Sequence, residues 1–220
     1  MKGFNWSGNK TGLVNPRIRK CYIADATAIE KGEPVIYTQG TGVAVIVAPT
    51  DFDDPIYGVS AVEKAASDGT TSIDIVEASP YDIFKYKAAK SYTLTGGGTT
   101  TAVVASLMPQ TNSFWKGGAI QIVSCAADSS LNGRIIKISD STGSSGTLTL
   151  AETLPAALAA SDTIYLCPGY MAHDYLGYDL DSDSINPDWA AVGGNILRIY
   201  DTNPDAMEMR FTFERHANAS

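Results

Sequence analysis

Acid-base or nucleophilic chemistry needs a histidine, a thiol or a pair of carboxylates held against a partner, and this sequence offers few such groups. It has two histidines, His173 within Ala172-His173-Asp174-Tyr175 and His216 close to the last residue, Ser220. Neither belongs to a G-x-S-x-G, H-E-x-x-H or comparable signature, so His173 reads as a loop histidine and no enzyme is expected. The sharpest polar cluster is Asp179-Leu180-Asp181-Ser182-Asp183 with Asp188 downstream. Carboxylates at alternate positions can converge on a calcium ion, which takes about six to eight hard oxygens. The calcium-loop pattern nevertheless fails, because Ser184 stands where glycine is needed and Ala190 where glutamate is needed. Asp179, Asp181 and Asp183 therefore read as an acidic, solvated loop, and neither metal nor cofactor is expected. The three cysteines, Cys21, Cys125 and Cys167, are odd in number and show no C-x-x-C spacing. A disulfide framework or zinc site is not expected, and folding in a reducing cytoplasm fits best. Eleven tyrosines, among them Tyr170, Tyr175, Tyr178 and Tyr200, suit strands and protein interfaces, although aromatic faces also stack on sugar rings.

Charge narrows the partners. A net charge of -8 argues against nucleic acid, whose phosphates call for clustered Lys and Arg, and leaves proteins or sugars. The charge is also uneven. Residues 1–20 hold Lys2, Lys10, Arg17, Arg19 and Lys20 with no acidic residue, while the other 200 residues carry 11 basic against 24 acidic, a net of -13. The first 20 residues read as a basic arm on an acidic body. One reading makes the arm a frayed terminus; the other docks it on a neighbouring subunit with Phe4 and Trp6 as anchors and Arg17, Arg19 and Lys20 facing acidic protein. No apolar stretch follows Met1-Lys2, so no secretory signal is expected, and no run is long enough to span a bilayer.

The elements that must position these groups are short strands. From Cys21 to Lys87 apolar runs (35–37, 43–47, 58–62, 73–76, 83–86) alternate with turns at 39–42, 53–55 and 67–70. Five strands in under 70 residues leave no room for crossover helices, so the sheet is expected to be antiparallel. Around residue 91 the composition shifts. The stretch T-G-G-G-T-T-T over 95–101 reads as a strand entry and tight bend, because a phosphate loop needs a helix after it. Further strands are expected at 119–123, 134–138, 147–150 and 163–166. Met207 to Glu214 alternates apolar and polar residues as a half-buried strand does, and pairs with 195–200 as a hairpin. A lone hairpin is marginal in water. The expected fold is therefore all-β: a small antiparallel barrel or sandwich from residues 21–90 and 169–220, with a second β-barrel module inserted at 91–168. Two domains in series is the alternative.

Two stretches carry a family likeness. Lys31-Gly32-Glu33-Pro34-Val35, Gly42-Val43-Ala44, Pro55-Ile56-Tyr57-Gly58-Val59 and Ser67-Asp68-Gly69 resemble the small β-barrel of bacteriophage head decoration proteins. The run from Gly96-Gly97-Gly98 through Phe114-Trp115-Lys116-Gly117-Gly118 and Arg134–Asp140 to Leu150–Ala156 and Asp162–Leu166 resembles a β module embedded in phage structural proteins. The resemblance implies a virion component on the outer capsid surface, often trimeric, that binds the major capsid protein and stabilises the shell. It also makes the inserted module a candidate contact for host glycans. The rival reading is a carbohydrate-binding adhesin or fibre module.

Overall fold

A computed structural model describes residues 4–12, 14–38, 40–45, 56–87, 91–104, 111–169, 175–181, 184–192 and 197–213. Strand makes up 51% of the chain and helix 4%, so the chain is all-β and its sheets are antiparallel. It divides into two compact units, one formed by residues 1–87, 173–200 and 210–220, the other by 88–172 and 201–209.

In the first unit the chain runs through β1 (Phe4–Asn9), β2 (Ile18–Tyr22), β3 (Pro34–Thr38), β4 (Gly42–Val45), β5 (Gly58–Ser60), β6 (Ser72–Glu77) and β7 (Asp82–Lys87). Strands β2 to β6 form one sheet in the order β2-β6-β5-β3-β4. Its two ends meet at a parallel bridge between Ile23 and Val43, which curls the sheet into an open barrel. Cys21, Ile23, Ile29, Val35, Val43, Tyr57, Ile73 and Ile75 fill its interior. The alternation of strand side chains explains this filling: in β6, Ile73 and Ile75 point inward while Ser72 is exposed. At the β3–β4 hairpin Gly40 and Gly42 adopt φ +91° and +88°, the left-handed region that glycine enters without penalty.

The loops at one end of this barrel are fastened by a buried lysine. The Lys64 side chain is 1% exposed, and its ammonium donates to the carbonyls of Asp25 (2.7 Å), Thr27 (2.9 Å) and Ala65 (3.0 Å). The carboxylates of Asp68 and Asp25 lie at 3.5 and 3.9 Å. All three ammonium protons are thus satisfied, which is the condition for keeping a charge out of water.

The segment expected to be an arm is built into the fold. Strand β1 pairs with β7, Phe4 opposite Tyr86 and Trp6 opposite Phe84. Phe4 is 1% exposed and packs against Tyr86, Phe211 and Phe213 at centroid distances of 5.5, 6.0 and 5.5 Å. Burying such a ring stabilises by about 2 kcal/mol, far more than a frayed terminus could forgo. The Asp82 carboxylate then pins the strand, accepting from Trp6 Nε1 (3.1 Å), Asn9 Nδ2 (2.7 Å) and Ser79 Oγ (2.6 Å). Arg17, Arg19 and Lys20 likewise belong to or adjoin β2, which pairs with β6 along its length from Ile18 opposite Val76 to Tyr22 opposite Ser72.

The second unit contains β8 (Ser91–Thr93), β9 (Gly96–Gly98), β10 (Thr101–Val103), β11 (Ala119–Ser124), β12 (Ile135–Thr142), β13 (Thr147–Leu150) and β14 (Thr163–Cys167), ordered β8-β14-β11-β12-β13-β10-β9. The two end strands, β8 and β9, are joined only by Leu94 and Thr95. Thr93 and Gly96 are therefore three Cα steps apart and within about 11 Å of each other, so the sheet must roll until its edges approach. Trp115, Ile120, Ile122, Ile136, Ile138, Leu148 and Leu166 fill it. The glycine run forms the β9–β10 hairpin, Gly98 opposite Thr101. A Cβ at Gly97 would sit 2.9 Å from the carbonyls of Leu158 and Thr101, which explains the absence of a side chain there.

The chain continues with β15 (Tyr175–Asp181), β16 (Ser184–Val192), β17 (Leu197–Asn203) and β18 (Glu208–Phe213). Together with β1 and β7 they form a sheet ordered β1-β7-β18-β17-β15-β16. Asp179 and Asp181, expected in a loop, therefore lie on a paired strand: Asp179 is opposite Asn186 and Asp181 opposite Ser184. The tip of the last hairpin, residues 201–209, belongs to the second unit, although the sequence grouped all of 169–220 with the first. There Lys137 pairs with Asp205 at 2.7 Å and Thr202 Oγ1 donates to the Gly169 carbonyl at 2.7 Å.

Candidate binding groove

The open side of the first barrel holds a groove of about 570 Å³ lined by Arg19, Lys20, Cys21, Tyr22, Tyr37, Gly40, Gly42 and Tyr57. Four elements build it. Strand β2 supplies Arg19 to Tyr22, the β3–β4 hairpin supplies Tyr37, Gly40 and Gly42, Tyr57 precedes β5, and Glu77 at the end of β6 lies beneath. Gly42 is required where the hairpin touches β2, because a Cβ there would fall on the Tyr22 carbonyl oxygen and ring.

At one end of the groove three side chains form a closed triangle. Tyr57 Oη donates to Glu77 Oε1 at 3.0 Å, and Arg19 Nη1 donates to Tyr57 Oη at 3.2 Å and to Glu77 Oε1 at 3.3 Å. The Arg19 side chain remains 65% exposed, so the pair contributes little to stability. Its consequence is positional: the guanidinium is held at the rim with most of its donors turned to solvent, and both partners push its pKa up, Tyr57 first. Tyr57 stacks at 5.3 Å on Tyr37. Tyr37 and Tyr22 are 50% and 55% exposed, which leaves two ring faces open along the groove.

The groups that could act as nucleophiles are held protonated. Burial, and after it the Glu77 carboxylate, pushes the Tyr57 hydroxyl up to about 12. Burial likewise raises the Cys21 thiol. The groove thus brings together the basic side chains of Arg19 and Lys20, the half-exposed rings of Tyr22 and Tyr37, the Tyr57 hydroxyl and the Cys21 side chain.

No family model, curated protein or solved structure matches this chain.

Of the residues singled out in the sequence, the structure brings Arg19 and Lys20 into the groove and places Arg17 just before it, its carbonyl accepting from Glu77 N at 2.9 Å. Phe4 and Trp6 are corrected: the first is core and the second is tied to Asp82, so neither is a free anchor. Asp179 and Asp181 lie on β15, whereas Asp183, His173, His216 and Tyr170 fall outside the described residues. Among the described residues no group of three or more His, Cys, Asp or Glu could hold a metal ion, and no helix is long and apolar enough to cross a membrane. Tyr200 is flanked by two cations, Lys10 at 5.9 Å and Arg210 at 5.4 Å from its ring. Tyr22, Tyr37, Tyr57 and Glu77 were not legible as site residues, since they converge only through sheet pairing. The one local signal was the Gly40-Thr41-Gly42 turn.

Proposed function

We propose that this chain is a structural virion protein that decorates and stabilises the outer surface of a phage head, attaching to the major capsid protein and acting as a homotrimer. The observation that carries the proposal is the groove: a cation pair and two half-exposed tyrosine rings displayed on a β-barrel. Aromatic and arginine side chains of this kind anchor protein interfaces. The family likeness of the 31–69 stretch supports the same reading, and so does the split of charge, since a basic rim on an acidic chain favours an acidic protein surface over nucleic acid.

Attachment is tested by co-sedimenting the full chain with purified, undecorated phage heads and weighing the free chain by light scattering. Saturable binding that is lost in the Arg19→Glu, Lys20→Glu double variant, together with a trimer mass, is the expected result. Binding unchanged by that charge reversal, or none, overturns it. The half-exposed rings of Tyr22 and Tyr37 favour a second reading, a glycan-binding adhesin or fibre module. Saturable sugar binding without affinity for heads would select it, and a glycan contact through the 88–172 unit belongs to the same test.

A further inference from the structure

Strand β2 is an edge strand whose hydrogen-bonding direction can be assigned. Glu77 N donates to the Arg17 carbonyl and Ile23 N donates to the Thr71 carbonyl, so the odd-numbered residues of this strand turn their backbone groups towards β6. In an antiparallel ladder the alternate residues face the other way. The N–H and C=O groups of Ile18 and Lys20, and the N–H of Tyr22, therefore point away from β6 and along the groove. Among the described residues no strand pairs with them. The opposite end of the sheet reaches β2 only at its end, through the Ile23–Val43 bridge and the approach of Gly42 to the Tyr22 carbonyl. Further back along β2 the β3–β4 hairpin stands off and the groove opens.

We propose that this edge takes up an extended acidic polypeptide segment as an added strand, completing the barrel wall that β2 leaves open. The inference rests on the reading of the groove as an attachment surface and names the chemistry of what attaches. Unpaired strand edges are templates for such addition. Charge decides the occupant. Arg17, Arg19 and Lys20 place three cations within four residues, and alternation sends Lys20 to one face of the edge and Arg19 to the other. Carboxylates on an incoming strand would meet a cation on either face. A second copy of β2 is disfavoured, because pairing two such edges brings like charges opposite one another. Tyr22 and Tyr37 would cover the uncharged side chains of the incomer.

The test titrates the full-length chain against a labelled twelve-residue peptide alternating Glu with Val and Thr, its backbone N-methylated counterpart, a Lys-for-Glu version and a carboxylated oligosaccharide. The acidic peptide is expected to bind saturably, and N-methylation is expected to weaken it by about tenfold or more, as loss of one to two backbone hydrogen bonds requires. Lys20→Pro, which deletes an outward N–H that β6 does not use, should weaken the peptide more than Lys20→Ala does. Equal binding of the N-methylated peptide, of the oligosaccharide or of the Lys peptide overturns strand addition, as does no binding at all. The N-methylated arm uses the unaltered chain, so it decides even where the proline variant misfolds. Head binding that persists when the acidic peptide fails to bind sinks this inference alone; peptide binding without head binding sinks the attachment reading alone.

Discussion

The Asp82 carboxylate allows a quantitative test of whether β1 is structure or arm. It is 3% exposed and accepts from Trp6, Asn9 and Ser79, at 3.1, 2.7 and 2.6 Å. Hydrogen bonds to a charged group contribute about 1.5–3 kcal/mol each. Trp6 and Asn9 are only half-buried and can recruit water when the carboxylate goes, whereas the bond from Ser79 is buried and leaves a donor stranded. The loss in Asp82→Ala is therefore about 3–5 kcal/mol, less than three full bonds. Asp82→Asn, which keeps an acceptor for Trp6 and Asn9, should lose about 1–2 kcal/mol. Urea unfolding followed by circular dichroism reads the loss, and hydrogen exchange over residues 4–9 should show it opening first. An Asp82→Ala chain within about 0.5 kcal/mol of the parent would refute the argument and return residues 1–20 to the status of a loose arm.

Three further outcomes follow from buried groups. The Glu33 carboxyl, half-buried and capped by the Glu30 N–H at 2.7 Å, is pushed up by burial from 4.5 to about 7. Between those values the folded chain holds a proton that the unfolded chain has released. Stability should therefore fall by about 1–3 kcal/mol as pH rises from 4.5 to 7, and Glu33→Gln should flatten that slope in unfolding midpoints; an unchanged slope counts against the assignment. Lys64→Met strands three carbonyls and two carboxylates around an apolar chain and should cost about 3–5 kcal/mol, with a change under 1 kcal/mol in denaturant titration contradicting the cage. Cys125 and Cys167 are buried, and burial drives Cys167 up to about 12, so a thiol reagent at pH 8 should label neither until the chain unfolds; prompt native labelling of either would show a different core.

What could be read from the sequence follows the physics of each element. Thr147-Leu148-Thr149-Leu150 gave its strand to the residue, because alternation with one buried face is the direct signature of a sheet, and turns at Gly40, Gly117 and Gly133 stood out because each has a positive φ. Strand β2 was hidden for the opposite reason. Only Cys21 of Ile18-Arg19-Lys20-Cys21-Tyr22 is buried, and an edge strand that carries its charges outward has the composition of an arm. Strand β1 rests on one core residue, Phe4, and on Asp82, an aspartate 76 positions from Trp6 and 73 from Asn9. The β15–β16 hairpin was masked by its Asp, Ser and Asn content, which local propensity assigns to loops. The groove was only partly legible: a cluster of cations is visible in one dimension, but the meeting of Arg19 with Tyr57 and Glu77 depends on β2 and β5 both pairing with β6, a long-range register that no local pattern encodes.

The open face of the first barrel is the surface by which this chain is proposed to hold another protein. Hydrogen-exchange mass spectrometry of the full chain, free and bound to phage heads, measures it directly. Slowed exchange concentrated in residues 18–22 and 37–42 is the predicted result, and protection confined to the 88–172 unit, with β2 exchanging as fast as in the free chain, would contradict it.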